Sequence, residues 1–149
     1  MSPSDAVEAR AQGWRTLAAL QHRIETRIEK ALQAGHGLSV NEFCALHHLS
    51  GPDGPSTRMQ QLADMLVLSQ SATTRLVTRL EERGLISRVL SAEDRRGIYA
   101  QATESGRKLH DEAAPTHNAA LDAALAEASG LPELIPLVRA LETLSGLKV

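Results

Sequence analysis

Between residues 14 and 32 the apolar positions fall at steps of three and four: Trp14, Leu17, Leu20, Ile24, Ile28, Ala31 and Leu32. That spacing lines one face of a long helix, and Gly35 and Gly37 are expected to end it. Ser39-Val-Asn-Glu42 follows. A serine three residues ahead of a glutamate reads as a capping box, in which each side chain satisfies a backbone N–H beside the other. A second helix therefore starts there, with Val40, Phe43, Cys44, Leu46 and Leu49 as its apolar positions. Gly51-Pro-Asp-Gly-Pro55 is a turn cluster. Thr57-Arg-Met-Gln60 repeats the capping pattern and opens a short third helix, with Met59, Leu62, Ala63 and Leu66 facing inward. Ser69 is the N-cap of a fourth helix whose buried stripe is Ala72, Leu76, Val77 and Leu80, and Gly84 is placed to stop it in the left-handed conformation.

The period then changes. Leu85 to Leu90 reads as a strand, Ser91 to Gly97 as a charged turn and Ile98 to Ala102 as a returning strand, which together make a hairpin. Thr103 caps a long helix carrying Leu109, Ala113, Ala120, Leu121, Ala124 and Leu125. Pro115 lies inside that helix and is expected to kink it, because it removes one hydrogen bond. Gly130 breaks the chain, Pro132 suits a first helical turn, and Leu134, Leu137, Val138, Leu141 and Leu144 mark a last helix. The pattern predicts a mainly α protein with a small β-hairpin. Residues 1–149 form a single protomer in which flanking helices, 1–36 and 103–149, bracket a lobe at 38–102.

Composition narrows this picture. A chain of 149 residues fits one domain with a sizeable core. Aromatics are only 2%, so the core must come from Leu, Ile, Val and Ala, which favours helices over an all-β sandwich. No apolar run approaches the ~18 residues a membrane span needs. Met1 to Arg10 holds Pro3, Asp5 and Glu8 and no apolar stretch, so it does not read as a secretory signal. The lone cysteine, Cys44, excludes an internal disulfide, and a cytoplasmic protein is expected. The formal net charge of −2 argues weakly against a nucleic-acid partner, but it is unevenly spread. Residues 56 to 108 net +3 and the remainder nets −5. A basic middle between acidic flanks is what a local phosphate-binding surface requires.

The third and fourth helices are short, joined by Val67-Leu68 and separately capped, which is the spacing of a helix-turn-helix. Ser69, Gln70, Ser71, Thr73, Thr74, Arg75, Thr78 and Arg79 are its candidate DNA contacts. Short polar side chains near a helix N-terminus approach base edges, and arginine reaches guanine or phosphate. The alternative is a plain solvated helix face, which the flanking capped helix and the hairpin disfavour. On the hairpin, Arg88 and the adjacent Arg95 and Arg96 suit the backbone or a minor groove. Asp94 is placed to orient a guanidinium by a bidentate pair. The alternative for that tip is a charged turn that keeps the hairpin soluble.

Thr57 to Thr103 resembles the winged helix-turn-helix of the MarR family of bacterial regulators. The matching pieces are Leu62-Ala63, Leu68-Ser-Gln-Ser71, Leu76-Val-Thr-Arg-Leu80-Glu, Gly84-Leu-Ile86, Asp94-Arg-Arg96 and Thr103-Glu-Ser-Gly106. The flanking helices fit that family's order, so the resemblance covers nearly the whole chain. It implies a homodimer built from the N- and C-terminal helices that binds a near-palindromic operator in double-stranded DNA, as a repressor or an activator. It also implies that a small ligand or oxidant relieves binding. Independently, the apolar stripes on the first and last two helices are broader than one winged domain covers. Burying them at roughly 25 cal/mol per Å² favours a second copy, and two-fold symmetry would set two recognition helices about 34 Å apart. The alternative is that these helices pack only on their own protomer.

Trp14 suits core or dimer packing. The resemblance adds another role, because the Trp14-bearing first helix and Asp94-Arg-Arg-Gly97 look like the urate- and small-anion-responsive branch of the family, in which a tryptophan on that helix and an acid before the recognition helix, matched here by Asp64, help form the ligand crevice. That branch tends to carry an asparagine on the recognition helix, which this chain lacks. The implied effector class is therefore the wider one of small aromatic or carboxylated anions. Cys44 beside Phe43 on an apolar face reads as an inert thiol, with a cysteine redox sensor as the alternative. His47 and His48 are adjacent, and His110 and His117 lie two helical turns apart. No local set of three or four ligands follows from that spacing, so neither a metal nor a cofactor is expected. No nucleophile–base pair, paired carboxylates or glycine-rich phosphate loop points to an enzyme. A winged-helix module for protein contacts, without specific DNA binding, is the remaining alternative, and the net negative charge is its support.

Overall fold

The computed structural model describes residues 1–51, 56–90 and 97–144. Helix α1 spans Pro3–His36 and α2 spans Val40–Leu49. Strand β1, Thr57–Arg58, leads directly into α3, Met59–Leu66, and α4 covers Gln70–Glu82. Strands β2, Ile86–Leu90, and β3, Ile98–Ala102, precede α5, Glu104–Ala128. A 3₁₀ turn at Pro132–Leu134 leads into α6, Ile135–Leu144. No helix among the described residues is long and apolar enough to cross a membrane. The chain divides into two compact units, residues 1–31 with 117–149 and residues 32–116.

In the first unit, Leu20, Ala128, Leu134 and Val138 form a buried cluster, with Ile24, Leu125, Leu131 and Leu137 packed against it. Arg27 pairs with Glu127 at 2.8 Å beside it. The apolar stripe on α1 does not bury evenly. Leu20 is buried, but Trp14 is 64% exposed, Leu17 44% and Val7 57%, and on α6 Leu144 is 57% exposed. At the start of α1 the Ser2 hydroxyl accepts from the Asp5 N–H at 3.1 Å and the Ser2 N–H donates to the Asp5 carboxylate at 3.0 Å. The backbone amide first, and then the Ser2 hydroxyl, hold the Asp5 carboxyl below its usual range.

The second unit is built on Leu32, Leu38, Leu46, Leu49, Leu62, Val77, Leu80 and Ile86, all buried. The Ser39 capping box forms as the sequence predicts, with Glu42 N–H to the Ser39 hydroxyl at 3.0 Å and Ser39 N–H to the Glu42 carboxylate at 2.8 Å. Helix α1 continues through Gly35, and the stop is Gly37, at φ +63°. The expected Thr57–Gln60 capping box does not form. Thr57 is buried in β1 and pairs with Ala100, so the sheet has three strands in the order β1-β3-β2. Helix α3 starts at Met59, one residue later than a Thr57 cap implies, and the Arg58 N–H is met by Gln61 at 3.3 Å instead. A two-residue strand carries no period for a sequence reading to detect.

Gly84, at φ +75°, ends α4 in a Schellman arrangement, with Leu85 N–H to Leu80 C=O and Gly84 N–H to Glu81 C=O, both at 2.9 Å. Leu85 belongs to this cap, which is why β2 begins at Ile86. Pro115 lies within α5 without ending it. The Thr103 hydroxyl accepts from the Gly106 N–H at 3.0 Å and donates to the Gly84 carbonyl at 2.6 Å. A Cβ on Gly106 would overlap the Leu85 carbonyl oxygen. Thr103-Glu-Ser-Gly106 is therefore a joint that holds the start of α5 against the end of α4.

Candidate nucleic-acid interface

Helices α3 and α4 meet at Val67, which adopts φ +55°. The Leu68 N–H reaches the Ala63 carbonyl at 3.0 Å and the Val67 N–H the Asp64 carbonyl at 3.2 Å, a second Schellman closure. A β-branched residue in this region is a steric outlier, and Val67 is 87% exposed, so no burial compensates for it. The tight closure delivers Ser69 directly to the N-cap of α4, where its hydroxyl accepts from the Ala72 N–H at 3.1 Å. Downstream of that cap, Gln70, Ser71, Thr74, Arg75 and Arg79 are exposed, while Leu76, Val77 and Leu80 are buried. The apolar half of α4 thus fixes the helix on the core and turns its polar half to solvent.

The wing is tied to this helix. The Arg88 guanidinium, on β2, donates to the Thr78 hydroxyl at 2.7 Å and pairs with Glu81 at 3.2 Å. The Arg88 N–H also donates to Glu81 at 3.2 Å. Along the other side of the sheet, Arg58 lies opposite Tyr99. Its Nε donates to the Tyr99 hydroxyl at 3.0 Å, and its guanidinium carbon lies 5.6 Å from that ring's centre. At the far end of α4 the Arg83 guanidinium donates to the Gly37 carbonyl at 2.8 Å and lies 3.9 Å from the Glu42 carboxylate. Arg75 and Arg79 are both exposed on this helix.

A MarR family model matches residues 36–97. The HTH-type transcriptional regulator MhqR of Bacillus subtilis (strain 168) is 38% identical over 88 residues, 58% of this chain and 59% of that protein. AbsC, a MarR family transcriptional regulator from Streptomyces coelicolor, superposes with a TM-score of 0.73 at 28% identity, over 98% of this chain and 95% of AbsC. CouR from Rhodococcus jostii RHA1, solved bound to p-coumaroyl-CoA, gives a TM-score of 0.63 at 30% identity, over 86% and 85% of the two chains. This chain belongs to the MarR family of transcriptional regulators. The resemblance first seen in its sequence motifs is thereby established, and with it the winged helix-turn-helix fold; the relatives MhqR and AbsC are transcriptional regulators. The matched stretch spans 52–59% of the length of the curated relatives MhqR, YkoM and MprA.

In this MarR-family chain the sequence-predicted contacts that the structure describes separate into three groups. Ser69, Gln70, Ser71, Thr74, Arg75 and Arg79 lie together on the open side of α4. Thr73 does not belong with them. It is buried at 1% exposure, and its hydroxyl donates to the Ser69 carbonyl at 2.9 Å, so it braces the first turn of the helix. Thr78 and Arg88 are half-buried and bonded to each other, so they join wing to helix. Asp94, Arg95 and Arg96 lie outside the described residues. Arg58 and Tyr99 were not anticipated. The sequence counted Arg58 in the basic stretch, but its cross-strand partner exists only because of β1.

Asp64 is exposed on α3 in the second unit, and Trp14 is exposed on α1 in the first. The first unit also has an open hollow of about 240 Å³ lined by His22, Arg23, Thr26, Arg27, Ala124, Glu127 and Ala128, a lining without Trp14. Cys44 is half-buried on α2. Among the described residues no group of three or more His, Cys, Asp or Glu is arranged to hold a metal ion. The structure does bring His47 and His110 together, two residues that the sequence placed on different helices without connection.

Proposed function

We propose that this chain is a cytoplasmic, sequence-specific DNA-binding regulator, acting chiefly as a repressor on a near-palindromic operator. The observation that carries the reading is the exposed row Gln70, Ser71, Thr74, Arg75 and Arg79 on a helix capped by Ser69 and held from behind by Leu76, Val77 and Leu80. A rigid helix with short polar residues in its first turns and arginines further along has the side-chain types that read the major groove. Gln70 suits adenine, and Arg75 and Arg79 suit guanine or phosphate. The Arg88–Glu81–Thr78 tie sets the wing at a fixed offset from that helix, which a second, phosphate-directed contact needs.

The regulator acts as a homodimer in this reading. Val7, Trp14 and Leu17 share one face of α1, since steps of seven and three return near the same side of a helix. They are exposed together with Leu141 and Leu144 of α6 in the same unit. A second copy of the chain is the occupant with the same unmet apolar surface, and a two-fold pair is the commonest solution. A small aromatic or anionic effector modulates binding. CouR is bound to p-coumaroyl-CoA, a ligand both aromatic and anionic, which supports that class here. Trp14 and Asp64 are the candidate effector residues.

The test is selection of bound duplexes from a random pool at low salt, followed by binding titrations. Enrichment of a two-fold-symmetric motif, with Arg75→Ala changing which bases are preferred, is the expected result. A chain that enriches no motif at low salt, or binds every duplex equally, refutes the proposal and returns the winged fold to a protein-contact role.

A further inference from the structure

The rings of His47, on α2, and His110, on α5, face each other in the second unit, with His47 Nδ1 2.9 Å from His110 Nε2. Behind them, His110 Nδ1 lies 3.0 Å from the Asp111 carboxylate. Phe43 stacks on both imidazoles, with ring centres 6.0 Å from His47 and 5.3 Å from His110. The side chain of His110 is only 13% exposed, whereas His47 is exposed. The group lies on α2 and α5, whereas the proposed DNA face lies on α4.

The bonding order assigns the protons. A carboxylate only accepts, so Asp111 takes the Nδ1–H of His110 and leaves the His110 Nε2 lone pair aimed at His47. His47 Nδ1 then either donates its own proton into that lone pair or, in the other tautomer, presents a second lone pair to it. In the second case two neutral imidazole nitrogens face one another 2.9 Å apart with no proton between them. Metal–imidazole bonds run at about 2.0–2.1 Å. Two such bonds meeting at a right angle put their nitrogens about 2.9 Å apart, the separation of a cis pair on a metal ion.

We propose that His47 and His110 form a binding site for a divalent transition-metal ion, with solvent completing its coordination and Asp111 fixing the His110 tautomer. A carboxylate on the far nitrogen of a liganding histidine orients the ring and raises its basicity, which is the place Asp111 occupies. With two protein ligands the site binds more weakly than a closed four-ligand structural zinc site. Imidazole ligation with open cis positions favours Cu²⁺, ahead of Ni²⁺ and Zn²⁺, by the general affinity order of these ions. A bound ion cross-links α2 to the early turns of α5, which follow directly on β3 and the Thr103 joint.

The experiment uses the full chain without a polyhistidine tag, titrated calorimetrically with CuCl₂ and separately with ZnCl₂ in a weakly coordinating buffer. The wild type is expected to take up one ion with two nitrogen couplings in its Cu²⁺ EPR spectrum. His47→Gln and His110→Gln are each expected to lose at least tenfold in affinity and one nitrogen coupling. Asp111→Asn is expected to lose about 10–100-fold, the range typical for a hydrogen-bond partner of a metal ligand. His22→Gln and His117→Gln are expected to match the wild type. If His110→Gln unfolds, the exposed His47→Gln variant decides the question by itself. No uptake by the wild type, or unaltered uptake by His47→Gln, overturns the assignment.

Discussion

Arg88 separates two accounts of the wing. Its charge and its position on the hairpin make it a phosphate contact in the sequence, whereas in the fold its guanidinium is engaged by Thr78 and Glu81 at 2.7 and 3.2 Å. Arg88→Met keeps most of the aliphatic stem and removes both bonds. A hydrogen bond to a charged group contributes about 1.5–3 kcal/mol when buried, and an exposed ion pair about 0.2–1 kcal/mol. With side chains 28% and 39% exposed, this pair lies between those limits. The expected loss is therefore about 1–2 kcal/mol, and each kcal/mol lowers Tm by about 2–4 °C at this chain length. The DNA readout is independent of that loss. Each phosphate contact adds about 0.9 to the slope of log K against log salt, so one contact removed from both halves of a dimer flattens the slope by about 1.8. Arg88→Met is expected to lower Tm and leave the slope unchanged, whereas Arg79→Ala flattens the slope by about 1.8 and leaves Tm nearly unchanged. Fluorescence anisotropy on the selected duplex between about 50 and 200 mM salt measures both variants. An Arg88→Met slope flatter by about 1.8, with Tm unmoved, would refute the structural role.

Three further outcomes follow from particular geometries. Val67→Gly is expected to stabilise by about 1 kcal/mol in urea, because it relieves the +55° φ of an exposed β-branched residue at a smaller chain-entropy cost, while Val67→Ala gains little; equal midpoints for glycine and valine would remove the strain argument. Gly106→Ala is expected to cost about 1–3 kcal/mol by forcing the new methyl against the Leu85 carbonyl, with exposed Ser105→Ala within about 0.5 kcal/mol of wild type as the control. Sedimentation of the wild type is expected to give a dimer, and Trp14→Glu combined with Val7→Glu a helical monomer; a monomeric wild type contradicts the paired α1 faces.

Most of the helical framework was legible because it rests on local rules. The Ser39–Glu42 box, the Ser69 cap, the Gly84 stop and the Thr103 cap each involve side chains within a few residues of the backbone they satisfy, and each forms. The errors share the opposite character. Thr57 reads as a cap only while its pairing with Ala100, 43 positions along the chain, is unknown. Thr73 reads as a surface polar residue because the 3.6-residue period does not distinguish the edge of a buried stripe from its outer side. The fold sets it inward, and its hydroxyl bonds the Ser69 carbonyl. His47 and His110 are 63 positions apart, so nothing in their spacing announced a pair.

The same distinction bears on charge. The stretch from 56 to 108 nets +3, and that excess is the sequence's argument for a phosphate-binding surface. In the fold, however, its arginines are not equivalent. Arg83 holds the α1–α2 corner, Arg88 holds the wing, and Arg58 is laid along Tyr99. A net count credits all three to a partner, although two of them face acidic groups of their own chain. The proposed recognition face instead draws on Arg75 and Arg79, both exposed where α4 leaves its polar half open. An overall charge of −2 is therefore no obstacle to DNA binding, and by the same reasoning the local +3 is no proof of it. In the proposed function, affinity depends on which guanidiniums the fold leaves unengaged, and specificity on the short polar residues that Ser69 and the Val67 turn set ahead of them.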